Sequence, residues 1–333
     1  MTHLKHLIAG AATIILVGLS SVAIAEDDVR LRLNWMYYGS HAGFALGKDR
    51  GYYDEAGIDL DIRSGNGSSS AHRLVANGDS DFAYGSCGAL VTLASQGAPI
   101  ISVAVIDATG TEAVLVRPDA SVKTIQDLKG KKLLTTANAG VNTFFPIVLA
   151  NAGLSESDIN LTNVPDGALV SSYLQGAGGA VGILGGLDDK PAEIKANGGE
   201  NPVAFAYSDF GVNQVGYCIS THKDTVANKP DLVKRFVAAT LKSYAEAEKD
   251  PDAAVAAIAD IVGGTMAEDE GKAQSRAVLD VTLGILYSAA NNEKKLGLNV
   301  ASDWEGMVDL MKKYNDLDPK ADPKSFYTNE FIN

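Results

Sequence analysis

Aromatic side chains are crowded into one short segment near the start of the chain. Trp35, Tyr37, Tyr38 and His41 fall within residues 35–41, although only 7% of the residues in the protein are aromatic. Planar rings stack on flat molecules, and an imidazole adds a hydrogen-bonding group. The segment therefore predicts one wall of a binding site for a flat ligand. The alternative is that Trp35 or Tyr37 packs inside a hinge.

Small and polar residues precede three predicted helices, at points where a strand has just ended. The candidate ligand-binding residues of these loops are Ser68, Ser69, Ser86, Asn138, Asn142 and Thr143. Backbone N–H groups and the helix dipole at such positions favour an anionic or carbonyl group on a ligand. An ordinary N-cap role accounts nearly as well for Ser68 or Ser69.

Two acidic residues follow strands in the second half of the chain. Asp166 and Asp188 each come soon after a predicted strand, and a carboxylate that faces a cleft suits an amino or amidine-like donor. The alternative for a single surface aspartate is plain solvation. We expect one of the two, not both, to contact a ligand.

No arrangement of residues in the sequence points to catalysis or to a metal. The chain has 5 histidines, of which His3 and His6 lie close to the start, and it has no G-x-S-x-G motif. Its 2 cysteines, Cys87 and Cys218, form no C-x-x-C pair. We therefore expect no catalytic residue, no metal and no cofactor. A net charge of −13 also argues against a nucleic-acid partner.

The first 25 residues have the features of an export signal. A lysine near the start precedes an apolar stretch from Leu7 to Leu19, and Ala23-Ile24-Ala25 fits a leader-peptidase site. The apolar run is shorter than the roughly 20 residues of a membrane-spanning helix. The sequence therefore predicts cleavage after Ala25 and a periplasmic protein. In that oxidising compartment, a Cys87–Cys218 disulfide and two free thiols are both open.

Beyond the leader, short β-type runs alternate with helical segments, which indicates an α/β fold with parallel sheets. Residues 26–110 form the N-terminal part of a first lobe, residues 111–216 repeat the pattern as a second lobe, and residues 217–333 return to the first lobe with C-terminal helices. Open parallel sheets bind ligands at the carboxyl ends of their strands. Two such lobes predict a cleft, with crossovers near residues 107–112 and 213–217 as the hinge.

Four motifs along the chain resemble landmarks of one family. They are Asn34-Trp35 with Gly51-Tyr52-Tyr53, Asn77-Gly78-Asp79-Ser80-Asp81-Phe82, Asp127-Leu128-Lys129-Gly130-Lys131 and Lys229-Pro230-Asp231-Leu232-Val233. In this order they are similar to the SsuA/THI5-like (NMT1-like) group of ABC-transporter substrate-binding proteins, whose ligands include nitrate, sulfonates, taurine and thiamine-precursor pyrimidines. The resemblance spans nearly the whole chain after residue 25.

The resemblance implies the type II periplasmic-binding-protein fold and a monomer that delivers a small-molecule ligand to an inner-membrane ABC permease and its ATPase. The aromatic segment favours a heteroaromatic such as a thiamine-precursor pyrimidine, and a small sulfonate, nitrate or similar anion is the alternative. A secreted sensor for a membrane partner is also open, as is, more remotely, an enzyme like the related pyrimidine synthases. Residues 179–187 lack an aromatic that many members carry, so a second stacking face is missing or comes from Tyr217 or Phe210.

Overall fold

The computed structural model describes residues 26–332, and the predicted export signal with its cleavage site lies outside the described residues. Within this range, ten strands form two five-stranded sheets. The strands are β1 (Asp27–Arg32), β2 (Ile58–Arg63), β3 (Phe82–Ser86), β4 (Ile100–Asp107), β5 (Glu112–Val116), β6 (Lys132–Thr135), β7 (Asn160–Asn163), β8 (Ala180–Gly186), β9 (Val203–Ala206) and β10 (Tyr217–His222).

The two sheets have the strand orders β2-β1-β3-β10-β4 and β7-β6-β8-β5-β9. We refer to each sheet with the helices packed on it as lobe 1 and lobe 2. In lobe 1, β1 is parallel to β2 and β3, and β10 is antiparallel to β3 and β4. In lobe 2, β6 is parallel to β7 and β8, and β5 is antiparallel to β8 and β9.

Both sheets are therefore mixed, whereas the sequence pattern indicated parallel sheets. The reason is the shortness of the first crossover between the lobes, because only residues 108–111 separate β4 from β5. Such a short segment cannot carry the chain along lobe 2 to the far end of its sheet. The strand β5 therefore starts at the cleft, where the parallel strands end, and runs in the opposite direction. The strand β10 enters lobe 1 from the cleft in the same way.

Helices fill most of the longer connections. They are α1 (Ala42–Asp49), α2 (Tyr52–Glu55), α3 (Ser68–Ala76), α4 (Cys87–Ser95), α5 (Phe145–Asn151), α6 (Leu169–Leu174), α7 (Lys190–Ala196), α8 (Lys223–Asn228), α9 (Pro230–Lys249), α10 (Pro251–Val262), α11 (Asp269–Gly284) and α12 (Ala301–Tyr314). No helix within residues 26–332 is long and apolar enough to cross a membrane.

The longest helix, α9, shows why the C-terminal part of the chain folds back onto lobe 1. Pro230 stands in its first turn, where the missing N–H has no helical partner to lose. Val233, Phe236 and Tyr244 follow at helical spacing and are buried. The ring of Phe236 stacks on Phe82 of β3, with the ring centroids 3.9 Å apart. The apolar stripe of α9 thus packs on the lobe 1 sheet.

The last helix, α12, departs from the expectation that the C-terminal helices pack on the first lobe. Its Trp304, Met307 and Met311 belong to a buried cluster that includes residues of both sheets. At its C-terminal end, the Tyr314 hydroxyl donates to Asn151 Oδ1 of α5 in lobe 2 at 2.8 Å. The helix α12 therefore bridges the two lobes.

The two crossovers between the lobes touch each other. Gly110 N donates to Gln214 O at 3.2 Å, and a Cβ atom on Gly216 would lie 2.4 Å from Thr109 O. Glycine is required at position 216, because a side chain there would push the two segments apart. The same glycine accepts a hydrogen bond at its carbonyl from Cys87 N at 2.9 Å, which ties the second crossover to the start of α4.

Candidate ligand-binding cleft

A cavity lies between the lobes, beside the two crossovers. It encloses about 520 Å³ of space that protein atoms do not occupy, part of it open to solvent. Lobe 1 and β10 contribute the lining residues Asn34, Trp35, Tyr38, Ser68 and Tyr217. Lobe 2 contributes the polar residues Glu112, Thr136, Asp188, Asp189 and Lys190, together with small and aliphatic residues from β8 and the loops after β6 and β7.

Three aromatic side chains form one wall of the cavity. Trp35 and Tyr38 come from the loop after β1, and Tyr217 begins β10 and stacks on Tyr84 with the ring centroids 5.2 Å apart. Tyr37 points elsewhere, because its hydroxyl donates to Ile62 O at 2.6 Å. The structure thus brings Trp35, Tyr38 and Tyr217 to the cavity and leaves Tyr37 in a neighbouring groove.

His41, which the sequence predicted to contact a ligand, does not line the cavity. Its side chain is only 1% exposed, and burial lowers its pKa to about 3, so the ring is neutral. Its Nδ1 accepts from Tyr38 N at 3.4 Å, so Nε2 is the atom that donates to Asn34 Oδ1, 2.8 Å away. His41 therefore fixes the orientation of Asn34, which does line the cavity.

The three predicted serines have different surroundings. Ser68 is buried at the start of α3 and lines the cavity. Ser69 uses its N–H across the cleft, where it donates to Asn138 O at 3.3 Å. Ser86 is fully buried and stands outside the lining, packed so closely on Gly140 that a Cβ on the glycine would lie 2.7 Å from Ser86 Cβ. Of the three, only Ser68 is placed to contact a ligand.

Asn138 joins the lobes instead of lining the cavity. Its φ of 66° lies in the left-handed region, which asparagine adopts more readily than most residues. Its carbonyl accepts from Ser69 N, and its side-chain Oδ1 accepts from Arg73 Nη1 at 3.1 Å. Both donors belong to α3 in lobe 1, so these bonds cross the mouth of the cleft and exist only when the lobes are close together.

Asn142 and Thr143 make hydrogen bonds to other groups of the protein. The Asn142 amide accepts from Thr135 Oγ1 at 2.6 Å and donates to Thr136 O at 2.9 Å. The Thr143 carbonyl accepts from Asn315 Nδ2 at 2.6 Å, next to the end of α12. Neither residue lines the cavity, since the Asn142 bonds close the connection between β6 and α5 and the Thr143 bond joins this connection to the residue after α12. The side chain of Asp166, at the start of a short turn before α6, is outside what the structure describes.

Asp188 lies in the cavity wall and is 7% exposed. It fits there because Gly186, which pairs with Glu112 across β8 and β5, has no side chain: a Cβ on Gly186 would lie 2.0 Å from Asp188 Oδ1. Thr111 Oγ1 donates to the same oxygen at 2.6 Å. Burial, reinforced by the neighbouring charge of Asp189, raises the pKa of Asp188 to about 7.

Glu112 is a cavity residue that the sequence analysis did not identify. It begins β5, is 4% exposed, and accepts a hydrogen bond at Oε2 from Gln214 Nε2. Its other oxygen, Oε1, has no hydrogen-bond partner among the described residues. Burial raises the pKa of Glu112. The sequence does hold a signal, since Glu112 is the one charged residue at the head of the apolar run Glu112–Val116.

Lys190, the basic residue of the lining, was also missed, and its charge is already compensated. Its Nζ lies 3.0 Å from Asp189 Oδ2 and 2.7 Å from Glu193 Oε2, and 5.7 Å from the centroid of the Trp35 ring. Burial opposes its charge, but these two carboxylates outweigh the burial and raise the pKa of Lys190. The ammonium group therefore lies beside the Trp35 ring of the aromatic wall with its charge already compensated.

Cys87 and Cys218 are adjacent, because β10 pairs with β3 so that Cys218 stands opposite Gly85. Both are buried free thiols in this structure, so the disulfide that the sequence left open is not formed. Burial, together with a hydrogen bond to Cys218, raises the pKa of Cys87. Within residues 26–332, no group of three or more His, Cys, Asp or Glu side chains is placed to hold a metal ion.

Two α/β lobes, two touching crossovers and a cleft between them define the periplasmic-binding-protein fold, which confirms the predicted fold class. The alkanesulfonate-binding protein SsuA from Xanthomonas axonopodis pv. citri has this fold. Its structure matches with a TM-score of 0.67 and 15% sequence identity, over 92% of this chain and 100% of that one.

The chain belongs to the NMT1/THI5-like family, whose sequence profile matches residues 39–254. This confirms the family resemblance. A putative binding protein of Brucella abortus is 24% identical over 97% of each chain. A putative thiamine biosynthesis protein of Haemophilus influenzae is 23% identical over 69% of this chain and 70% of its own. A 4-amino-5-hydroxymethyl-2-methylpyrimidine phosphate synthase of Saccharomyces cerevisiae is 26% identical over 33% of each.

Proposed function

We propose that the protein is the periplasmic solute-binding component of an ABC importer, and that its ligand is a flat nitrogen heterocycle with amino donors, such as a thiamine-precursor pyrimidine. One observation carries this proposal: the cavity sets aromatic rings beside buried carboxyl groups. Trp35, Tyr38 and Tyr217 can contact a planar ring, and Glu112 and Asp188 can accept hydrogen bonds from its amino groups. The name of the Haemophilus influenzae relative points to the same class of ligand.

A sulfonate or nitrate ligand fits this cavity less well, although the structural relative SsuA is named for binding alkanesulfonates. Lys190 is the basic side chain of the described lining, and Asp189 and Glu193 already neutralise it. Glu112 and Asp188 add carboxyl groups to the same space, and each of them repels an anion when it is ionised. Binding of an anion is therefore the outcome that the test must distinguish.

We propose that the protein binds its ligand without converting it, because the Brucella abortus relative that matches over 97% of the chain is named a putative binding protein. His72, like His41, is buried and neutral, because burial lowers its pKa to about 4. Its Nδ1 lies 2.8 Å from Ser220 Oγ, inside lobe 1. Both histidines thus have structural roles.

The proposal is tested with the full chain, expressed with its leader and purified from a periplasmic extract. Intact mass of the purified protein also tests cleavage after Ala25. The protein is screened by thermal shift against aminopyrimidines, other nitrogen heterocycles, alkyl sulfonates and nitrate, and calorimetry follows for each compound that binds. A ligand of the folded state raises the melting temperature. We expect the rise with an aminopyrimidine.

The variant Trp35→Ala tests the stacking contact, and Met36→Ala is its matched control. Loss of a stacking partner weakens binding by about tenfold, whereas Met36 is half-exposed and lies outside the inner cavity. Binding of sulfonates or nitrate alone would refute the proposed ligand. Uptake of the labelled ligand by cells, dependent on this chain and on an ABC permease, separates an importer from a sensor.

A further inference from the structure

Glu112 lines the cavity, and its Oε1 is a buried hydrogen-bond acceptor that has no partner among the described residues. Glu112 is buried, with 4% of the residue exposed. The crossovers hold its side chain in place, because Oε2 accepts a hydrogen bond from Gln214 Nε2. The pair packs against Gly110, where an added Cβ would lie 2.3 Å from Glu112 Oε2 and 2.4 Å from Gln214 Nε2. The carboxyl group of Glu112 is therefore held in place beside the cavity.

The surroundings of Glu112 supply acceptors and hydroxyl groups but no free cation. Asp188 lines the same cavity, and Thr136 Oγ1, also in the lining, has no hydrogen-bond partner among the described residues. Behind them, Asp107 is buried with Oδ2 bonded to the Tyr84 hydroxyl at 2.8 Å and Oδ1 without a partner. The ammonium group of Lys190 is already held by two carboxylates. Burial raises the pKa of Glu112 and of Asp188, which favours their protonated forms in the empty cavity, and a cationic ligand would supply the counter-charge that favours the ionised forms.

We infer that the ligand binds as a cation and that Glu112 is the specificity-determining residue that accepts its charged N–H group. The inference rests on the proposed function, since it gives the charge of the heterocycle that the aromatic wall holds. An amidinium-like edge presents parallel N–H groups, which a carboxylate accepts with short, charge-assisted hydrogen bonds. A neutral heterocycle of the same shape leaves the carboxyl groups of the cavity without that compensation.

The position of Glu112 also links the binding of a charged ligand to the closure of the two lobes. Residues 108–111 lead directly into Glu112, and its partner Gln214 belongs to the second crossover. Thr111 in the first crossover holds Asp188 by the bond from its hydroxyl. A cation that bonds to Glu112 and Asp188 therefore contacts side chains anchored on both segments that move when the lobes rotate.

The test compares two probes of the same shape and different charge, 1-methyl-4-aminopyridinium and 4-methylaniline, at neutral pH by calorimetry. The wild-type protein should bind the pyridinium at least about tenfold more tightly, the effect of a charge-assisted hydrogen bond. In Glu112→Gln, which keeps the shape and a polar contact to Gln214, the preference should fall to within about threefold. Glu305→Gln, which removes one exposed acidic charge on α12, should leave it unchanged.

Each outcome decides the inference. Equal binding of the two probes, tighter binding of 4-methylaniline, or binding of neutral heterocycles while the pyridinium fails to bind would overturn it and leave the proposed heterocycle importer standing. Binding of sulfonates or nitrate alone would overturn both. The wild-type comparison does not depend on any variant. If Glu112→Gln fails to fold, Asp188→Asn takes its place and should also reduce the preference for the pyridinium.

Discussion

Gln214 donates a hydrogen bond from Nε2 to Glu112 Oε2, and this bond joins the two crossovers that connect the lobes. It is a bond between residues 102 positions apart in sequence, made inside the protein where water does not replace it. The same contact turns the amide oxygen of Gln214 away, which leaves that atom without a partner among the described residues. The hinge region thus holds a polar pair whose acidic member faces the ligand cavity.

Replacing Gln214 with alanine tests this relationship. The change removes the side-chain donor to a buried carboxyl group, and it should reduce the free energy of unfolding by about 1–3 kcal/mol. Urea denaturation measures the loss. Gln126→Ala is the matched control, because Gln126 Nε2 donates to Ala152 O at 3.1 Å on the exposed surface, and it should cost less than about 0.5 kcal/mol. Equal losses in the two variants would contradict the buried role.

Asp188 predicts a pH dependence of stability. Its pKa is 3.8 in the unfolded reference and about 7 in the folded protein, where burial favours the protonated form. The folded state therefore binds the proton more tightly, and the contribution of Asp188 to stability is complete below pH 4 and is lost as the pH rises towards 7. Asp188→Asn removes this titration, while His41 and His72 titrate equally in both proteins.

The measurement is the difference in free energy of unfolding between wild type and Asp188→Asn, taken by urea denaturation from pH 4 to pH 7. The wild type should lose roughly 2–4 kcal/mol relative to the variant across that window. A difference that stays constant with pH would show that the carboxyl group titrates alike in both states. A difference that changes in the opposite direction would mean that Asp188 is stabilised as an anion.

The sequence predicts the fold well because the alternation of strands and helices is a local signal. Trp35, Tyr38, Ser68, Asp188 and Tyr217 stand in the described lining, since loops at strand ends reach the cleft wherever the fold puts it. The direction of each side chain within a loop is not local information.

Other cleft-loop residues illustrate this limit. His41 turns inward to bond Asn34, and the amide of Asn142 closes its own loop through Thr135 and Thr136. The burial of Glu112 arises from the packing of two crossovers that are far apart in sequence. A strand that begins with glutamate looks in the sequence like one with a solvated end, because charged side chains are mostly exposed.

Gly216 allows the two crossovers to approach each other closely, and its replacement tests this contact. In Gly216→Ala the added Cβ meets Thr109 O and Asp107 O at 2.4 Å and 2.7 Å, so the variant should lose about 1–3 kcal/mol of stability. Gly306→Ala in α12 is the control, because its Cβ meets no atom within 4 Å, and it should gain about 0.5–1 kcal/mol from helix propensity. Thermal denaturation of both variants checks the pair. A Gly216→Ala protein as stable as wild type would refute the close approach.

The hydrogen bond of Arg73 across the cleft should lengthen the lifetime of the closed state. Its Nη1 reaches across the cleft to Asn138 Oδ1 at 3.1 Å, beside the backbone bond from Ser69 N. Both side chains are exposed, so Arg73→Ala should leave the folded lobes intact and weaken only their contact. A hydrogen bond to a neutral acceptor at the surface contributes about 0.5–1.5 kcal/mol, which corresponds to dissociation of the ligand about twofold to tenfold faster.

Stopped-flow release of the ligand identified by the screen measures this rate, because changes within one binding site act mainly on dissociation. Arg50→Ala is the control, since Arg50 pairs with Asp250 at 3.6 Å inside lobe 1 and does not cross the cleft. Faster release in Arg73→Ala alone means that the bond across the mouth retains the ligand. Identical release in both variants means that the aromatic wall and the carboxyl groups hold the ligand without help from the rim.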